Sequence, residues 1–179
     1  NCGIMDQFAV GMGKVNYAVF LDTETLDYEL VPVELEKHKL IISNTNKQRK
    51  LTDSKYNERR SECEQVLKYL NKDGHEFNNL GKIKYEYFQQ IQDRIPEPVL
   101  KRRARHIVTE DKRVVAATRA LKEGNLETFG RLMNESHDSL RDDYEVTGME
   151  LDTLVEEARK VEGVLGSSGP TPQITLSRR

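Results

Sequence analysis

The hydrophobic pattern of this chain changes its period near residue 50. Between Val15 and Ser43, apolar residues alternate with polar ones, which is typical of half-buried strands. The alternation predicts three strands over residues 15–21, 28–33 and 40–42, with a hairpin turn rich in Thr and Asp between the first two. After residue 50, apolar residues recur at helical spacing. We therefore predict a chain that begins with strands and continues as helices.

Helical spacing also appears before the strands. Residues 1–14 are expected to form a turn and then a short helix, in which Met5, Phe8 and Met12 share one face. Asp53 is expected to cap a helix that runs to about residue 70. Residues 71–98 contain several turn-forming residues, so short helical pieces are expected there.

The second half of the chain carries clear signals for helix ends. A long helix is expected to stop at Gly124, and Asn125 is positioned to cap the next one. Thr147 and Glu150 have the spacing of a capping box for a last helix. These signals predict three consecutive helices between about residue 99 and residue 161.

Composition excludes several classes of function. The chain has 179 residues, 36% hydrophobic and 32% charged, enough for one ordinary domain or two small ones. Its formal net charge of -2 provides no overall positive potential that would attract nucleic-acid phosphates or anionic lipids. No stretch approaches the roughly 20 apolar residues of a spanning helix. Nucleic acid and membranes are therefore poor partners, and two cysteines without paired spacing favour a reducing compartment.

Two other features are interpreted as structural. The basic run at residues 101–105 lies in a predicted amphipathic helix, and we expect it to be a solvated face. The four histidines are scattered along the chain. No metal site is therefore predicted.

The most informative segment lies at the start and reads Cys2-Gly3-Ile4-Met5-Asp6-Gln7-Phe8. Asp6 falls in the first turn of the predicted short helix, where free N–H groups and the helix dipole favour an ionised carboxylate. Such a carboxylate can accept a proton. An aspartate near a helix start is nevertheless far more often a structural cap. The residues alone leave both roles open.

This segment resembles the one that bears the catalytic aspartate in galactokinases of the GHMP small-molecule kinase superfamily. Other segments resemble the same family in order and spacing. They lie at residues 44–64, 102–108, 129–133 and 135–146. The resemblance covers about residues 1–167, and five segments in one order identify the chain as a member of this family.

The resemblance implies an α+β, GHMP-kinase-like fold. Residues 1–70 would form the C-terminal half of the family's N-terminal domain, three strands with flanking helices that include the catalytic aspartate segment. Residues 71–98 would be a connecting region, and residues 99–165 an incomplete, mainly helical part of the C-terminal domain. In this family the active site lies in the cleft between the two domains, so Asp6 would face that cleft.

Residues 166–179 depart from the family. Gly166-Ser167 begins as the family's glycine-rich third motif does, but Ser168-Gly169-Pro170 replaces the expected continuation. The Gly, Ser, Pro and Thr content of this non-family tail predicts disorder. Because the chain starts without Met and within an apolar segment, we interpret it as a truncated piece. Unpaired strand edges and uncovered apolar faces would then make it poorly stable alone.

The resemblance also implies a reaction, the ATP-dependent phosphorylation of α-D-galactose at its anomeric hydroxyl to galactose 1-phosphate in the cytoplasm. Asp6 would be the catalytic base, and Gly3, Asp6 and Tyr56 would contact the sugar. ATP and magnesium are the implied cofactors, but the family's motifs for them precede the matched region. We therefore predict no cofactor-binding or metal-binding residue here, and an isolated chain that is inactive. Residues 11–14 are no substitute, since they lack the longer glycine-led run and the Ser or Thr of a P-loop.

Two alternatives stay open. One is a non-catalytic galactose-sensing regulatory homologue, which would bind the sugar and steer a regulatory partner. The presence of Asp6 argues against it, because a sensor needs no base. The other is a helical interaction module with an incidental resemblance. The oligomeric state is left undetermined.

Overall fold

The computed structural model describes residues 4–47, 55–72, 74–169 and 173–178. Its helices are α1 (Met5–Met12), α2 (Tyr56–Asn71), α3 (Tyr85–Ile91), α4 (Pro98–Lys122), α5 (Leu126–Asp142) and α6 (Met149–Lys160). Its strands are β1 (Tyr17–Leu21), β2 (Tyr28–Pro32), β3 (His38–Ser43), β4 (Val164–Ser168) and β5 (Gln173–Arg178). Helices dominate after the first three strands, as the change of period predicts. The α+β class is confirmed.

The first two strands form an antiparallel hairpin in which Tyr17 pairs with Pro32. Asp22 holds the turn, because its Oδ1 accepts a hydrogen bond of 2.8 Å from the N–H of Glu24. The Thr- and Asp-rich turn predicted between β1 and β2 is therefore confirmed.

The other three strands form a separate antiparallel sheet in the order β3-β5-β4. Strand β5 pairs along its length with β3, from Gln173 opposite Ser43 to Arg178 opposite His38. This differs from the disorder expected for residues 166–179, since both β4 and β5 fall largely in that segment. Pairing on both edges of β5 satisfies its main-chain groups, a contribution that composition does not capture.

The larger core lies between α2, α3 and α4. Val66 and Leu70 of α2 are fully buried with Phe88 of α3 and with Ala104 and Val108 of α4. Helical spacing in the sequence predicts that the α2 and α4 residues of this core face inward, and the structure confirms that they are buried. Each large apolar side chain buried in this way contributes about 1.5–3 kcal/mol.

A smaller core joins the hairpin to the helices. Val31 of β2 is buried with Leu121 of α4 and Leu126 of α5. An apolar cavity of about 660 Å³ lies between the hairpin, α4 and α5, with Val33 and Phe129 among its walls. The layer between hairpin and helices is therefore incompletely filled.

Helix α5 and strand β4 approach each other at two glycines. A Cβ on Gly130 would lie 2.5 Å from the carbonyl carbon of Leu165, and one on Gly166 would lie 2.6 Å from the Cα of Gly130. Both distances are below 3.0 Å, which real Cβ contacts essentially never reach. Only glycine fits at these two positions without a backbone shift.

Two of the predicted helix signals are confirmed. Asn125 caps α5, because its Oδ1 accepts a hydrogen bond of 2.9 Å from the N–H of Thr128. Gly124 adopts a φ of 67°, the left-handed conformation that ends α4 at Lys122. Two neighbouring residues, Gly124 and Asn125, thus determine the boundary between α4 and α5.

The capping box predicted at Thr147 and Glu150 is wrong. Helix α6 begins at Met149 with Gly148 as its N-cap, and no side chain caps it. Glu150 is therefore only the second helical residue, one position too early for the reciprocal bond of a capping box. Its carboxylate instead pairs with Lys47 at 2.6 Å.

Candidate active site

Asp6 occupies the second position of α1, within its first turn. The amides at a helix start have no intrahelical acceptor, and the first backbone bond of α1 runs from Phe8 N to Ile4 O at 2.9 Å. Ile4 is the N-cap, and no side chain bonds there. The Asp6 side chain is exposed and forms no hydrogen bond or ion pair with any residue that the structure describes. It is not used as a cap and is open to a ligand.

One ring contact fixes α1 on the hairpin. Phe8 packs edge-on against Tyr28 of β2, with ring centroids 5.3 Å apart. The other side chains of the predicted apolar face are uncovered, since Met5 is 66% exposed and Met12 38%. The predicted face exists, but the described part of the chain does not bury it.

A cleft of about 1030 Å³ lies beside the start of α1. Met5, the neighbour of Asp6 in sequence, lines it together with Asp22 in the hairpin turn and Val108 in α4. Lys82 binds Glu24 across the rim at 2.6 Å. The walls therefore come from both regions that the resemblance assigns to different domains.

The other two predicted sugar contacts are less fully described. Gly3 lies outside the described residues. Tyr56 is the first residue of α2, and only its backbone is described. Asp53, the predicted cap of α2, also lies outside the described residues. The N-cap is Lys55, which makes no side-chain capping bond.

A polar cluster with two buried arginines lies one helical turn beyond Tyr56, and it was not among the predictions from sequence. The polar cluster consists of Arg59, Glu62, Arg103 and Glu145. Arg59 is 1% exposed and donates from its Nε to the carbonyl of Tyr144 at 2.6 Å. Its Nη1 also donates to Glu62 Oε2 at 2.7 Å. A buried guanidinium is tolerated only with such partners.

Arg103 completes the polar cluster from α4. It donates to Glu62 Oε2 at 2.9 Å, to Glu145 Oε2 at 2.7 Å and to the carbonyl of Asp143. These contacts correct the interpretation of residues 101–105 as a solvated face, because Arg103 is only 2% exposed. Hydrogen bonds from Arg103 and Arg102 lower the pKa of Glu145 to about 2.

A sequence signal for the polar cluster was available. Arg103 precedes Ile107 by four residues, and Arg59 precedes Cys63 by four and Val66 by seven. Both arginines thus fall on helix faces that the apolar spacing assigns to the core. A charged residue at an inward position predicts a buried partner, although it does not say which residue provides it.

A second buried polar contact joins α4 to α5. The Oγ of Ser139 lies 2.9 Å from Nδ1 of His106, whose ring stacks on Tyr144 with centroids 4.3 Å apart. Burial lowers the pKa of His106 to about 4. Ser139 lies between the histidine and Asp143, with its Oγ 3.4 Å from Asp143 Oδ2. In a hydrolytic triad the histidine stands between the other two, so this order does not activate the serine.

The described residues hold neither a metal site nor a membrane span. No group of three or more His, Cys, Asp or Glu side chains in this part of the chain could hold a metal ion. Over the same residues, no helix is long and apolar enough to cross a membrane. We therefore assign no magnesium ligand to the described residues and derive no chemical step through the metal.

Comparison with known proteins agrees with the fold. The family described as "GHMP kinases C terminal" matches residues 117–171, which extends beyond the boundary predicted at residue 165. The crystal structure of Lactococcus lactis galactokinase complexed with galactose has a TM-score of 0.92 at 48% sequence identity, covering 99% of this chain and 47% of that chain. Over nearly its whole length, the chain is therefore similar to that galactokinase in fold and in sequence.

Curated relatives with similar sequences are galactokinases. Those of Clostridium beijerinckii and Enterococcus faecalis are 53% and 55% identical to this chain over 167 and 168 residues. Each alignment covers 93% of this chain and 43% of the relative, so the chain spans less than half the length of the curated relatives it matches. This chain is thus similar to a part of these galactokinases.

Proposed function

We propose that this chain provides the catalytic carboxylate of a galactokinase, which phosphorylates α-D-galactose at its anomeric hydroxyl to give galactose 1-phosphate. The observation that carries the proposal is the likeness to the galactose complex, with a TM-score of 0.92 over 99% of this chain. The domain boundaries near residues 70, 98 and 165 and a cytoplasmic setting belong to the same proposal.

Asp6 is the proposed catalytic base. It would accept the proton of the C1 hydroxyl while that oxygen attacks the γ-phosphorus of ATP, and the phosphorus–oxygen bond to ADP would break. Its exposure and its position in the first turn of α1 support this role.

Gly3 and Tyr56 are the proposed sugar contacts beside Asp6. Most of the rate in phosphoryl transfer comes from alignment and charge neutralisation, so residues that orient the hydroxyl matter as much as the base. The proposal for Gly3 and Tyr56 rests on the resemblance of their segments to galactokinase.

ATP and magnesium are the proposed cofactors, held outside the described residues. No metal-binding group is present among those residues, and Lys14 is followed by Val15 where a P-loop requires Ser or Thr. What the described residues contribute is therefore the base and the orientation of the sugar. We expect the isolated chain to be inactive for this reason.

The test is a chimera in which residues 1–167 replace the matching stretch of Clostridium beijerinckii galactokinase. Release of ADP is measured with galactose for the chimera and for its Asp6→Asn variant. Loss of a general base lowers turnover by about 10³-fold, so we expect that loss in kcat with a KM for galactose within a few-fold. Asp27→Asn, an exposed aspartate in the hairpin, is the matched control and should leave turnover unchanged.

Three other results would contradict the proposal. Turnover that survives Asp6→Asn would exclude Asp6 as the base. Galactose binding without turnover in the unmutated chimera would favour the sensor. Neither binding nor turnover would favour the interaction module.

A further inference from the structure

We propose that the polar cluster positions the first turn of α2, and Tyr56 with it, for sugar binding. The inference rests on the proposed function, because Tyr56 matters only where this chain contacts galactose. The members of the polar cluster are positioning residues, because they act through α2 and do not touch the sugar.

Among the residues that the structure describes, no side chain caps the first turn of α2. Lys55 is the N-cap and makes no side-chain capping bond. The first backbone bond of the helix runs from Arg59 N to Lys55 O at 2.9 Å. Without a cap, the start of a helix frays easily. The side chain of Arg59, one turn after Tyr56, supplies the anchor instead.

Arg59 ties this turn to a distant part of the chain. Its Nε donates to the carbonyl of Tyr144 at 2.6 Å, and its Nη2 donates to the carbonyl of Glu145 at 3.4 Å. The acceptors lie in the connection between α5 and α6, more than eighty residues away. The position of the α2 start is therefore set by that connection.

The acceptor side is itself held in an unfavourable conformation. Glu145 has a φ of 53°, a left-handed conformation that is unfavourable for a non-glycine residue. Its carboxylate is bound by Arg103 at 2.7 Å and by Arg102 at 2.7 Å. These bonds hold the backbone turn that presents its carbonyl to Arg59. Such strain is common where a fixed geometry is needed for function.

The burial of the polar cluster favours positioning over simple stabilisation. Two guanidinium groups that are 2% exposed at the side chain share the carboxylate of Glu62. Buried ion pairs add little net stability compared with apolar side chains of similar volume. What two planar arginines do provide, each donating from several nitrogens to different acceptors, is one defined geometry between three segments.

The experiment compares Glu145→Gln with Glu135→Gln in the full chain. Both substitutions remove one carboxylate charge, but Glu135 belongs to an exposed pair with Arg131 four residues earlier in α5. Amide hydrogen exchange of α2 is measured, together with galactose affinity by NMR titration. Arg59→Lys is the second variant, because it keeps the charge and loses the forked geometry.

We expect Glu145→Gln and Arg59→Lys to speed exchange in the first turn of α2 by at least about tenfold, with no change near Asn71 at its end. Galactose affinity should fall about tenfold, equivalent to about 1.4 kcal/mol. In combination with Tyr56→Phe, neither variant should cause a further loss, because the polar cluster acts through Tyr56. The control should change neither measurement.

Unchanged exchange in the first turn would overturn the proposal. Additive losses with Tyr56→Phe would also overturn it, because they would show an effect that bypasses Tyr56. If the unmutated chain binds no galactose, the proposed sugar contact fails. The exchange rates then still decide whether the polar cluster holds the start of α2.

Discussion

At the glycine contact between α5 and β4, helix propensity and steric overlap have opposite effects on the free energy of unfolding. Gly130→Ala adds one methyl group in the middle of α5. Intrinsic helix propensity favours alanine there by about 1 kcal/mol. The new Cβ, however, would lie 2.5 Å from the carbonyl carbon and oxygen of Leu165. The sign of the result depends on which term is larger.

The contact term is the larger one. Carbon atoms pack favourably at about 3.5 Å or more, so α5 and β4 would have to separate by about 1 Å. The obstructing atoms belong to the backbone of Leu165, which cannot turn away as a flexible side chain could. Overpacking of this kind costs about 3 kcal/mol, and the propensity gain offsets about 1 of that. We expect Gly130→Ala to lower the free energy of unfolding by about 2 kcal/mol.

Urea unfolding followed by circular dichroism measures the effect. Gly11→Ala is the matched control, since Gly11 also lies in a helix but a Cβ there would meet nothing within 4 Å. The control should be neutral or stabilising by up to about 1 kcal/mol. If the two variants differ by less than about 0.5 kcal/mol, the reasoning from the α5–β4 contact is refuted.

Two further predictions concern α4 and α5. The pKa of His106 is about 4 in the folded chain, against about 6.5 for an ordinary histidine. Between these two pH values the unfolded chain therefore binds more protons than the folded chain does. The free energy of unfolding falls as the pH drops through this window. From pH 8 to pH 5 the loss attributable to His106 should be about 2 kcal/mol, and urea titrations of His106→Gln should show a correspondingly flatter pH dependence. Asn125→Ala removes the bond to the N–H of Thr128 and should cost about 1 kcal/mol, whereas Asn125→Asp should retain most of it. An Asn125→Ala variant as stable as the unmutated chain would exclude this contribution of the cap.

Local patterns in the sequence predicted most of the secondary structure. The hairpin, the helix boundary at Gly124 and Asn125, and the inward faces at Val66 and Val108 all depend on residues close together in the chain. Such signals depend on turn chemistry and periodicity, which neighbouring residues determine. The failed capping box at Thr147 shows the limit, because a helix start shifted by a single residue removes the geometry that the motif requires.

The candidate site could be located from the sequence only in part. The segment around Asp6 pointed to a base by resemblance, and the structure adds that this carboxylate is exposed and does not serve as the helix cap. The cleft beside Met5 could not be predicted, because its walls come from a hairpin and a helix about ninety residues apart in sequence. The roles of Gly3 and Tyr56 stay predictions.

By itself, the sequence predicted the order of strands and helices, and it placed the segment of the proposed base by its resemblance to galactokinases, since each depends on residue types at short spacing. Only the tertiary structure decided that Arg59 and Arg103 are buried and that residues 173–178 pair with β3. The burial of a charge depends on partners that are distant in sequence. Here the carbonyls of the α5–α6 connection, together with the carboxylates of Glu145 and Glu62, compensate two arginines that composition alone would place in solvent.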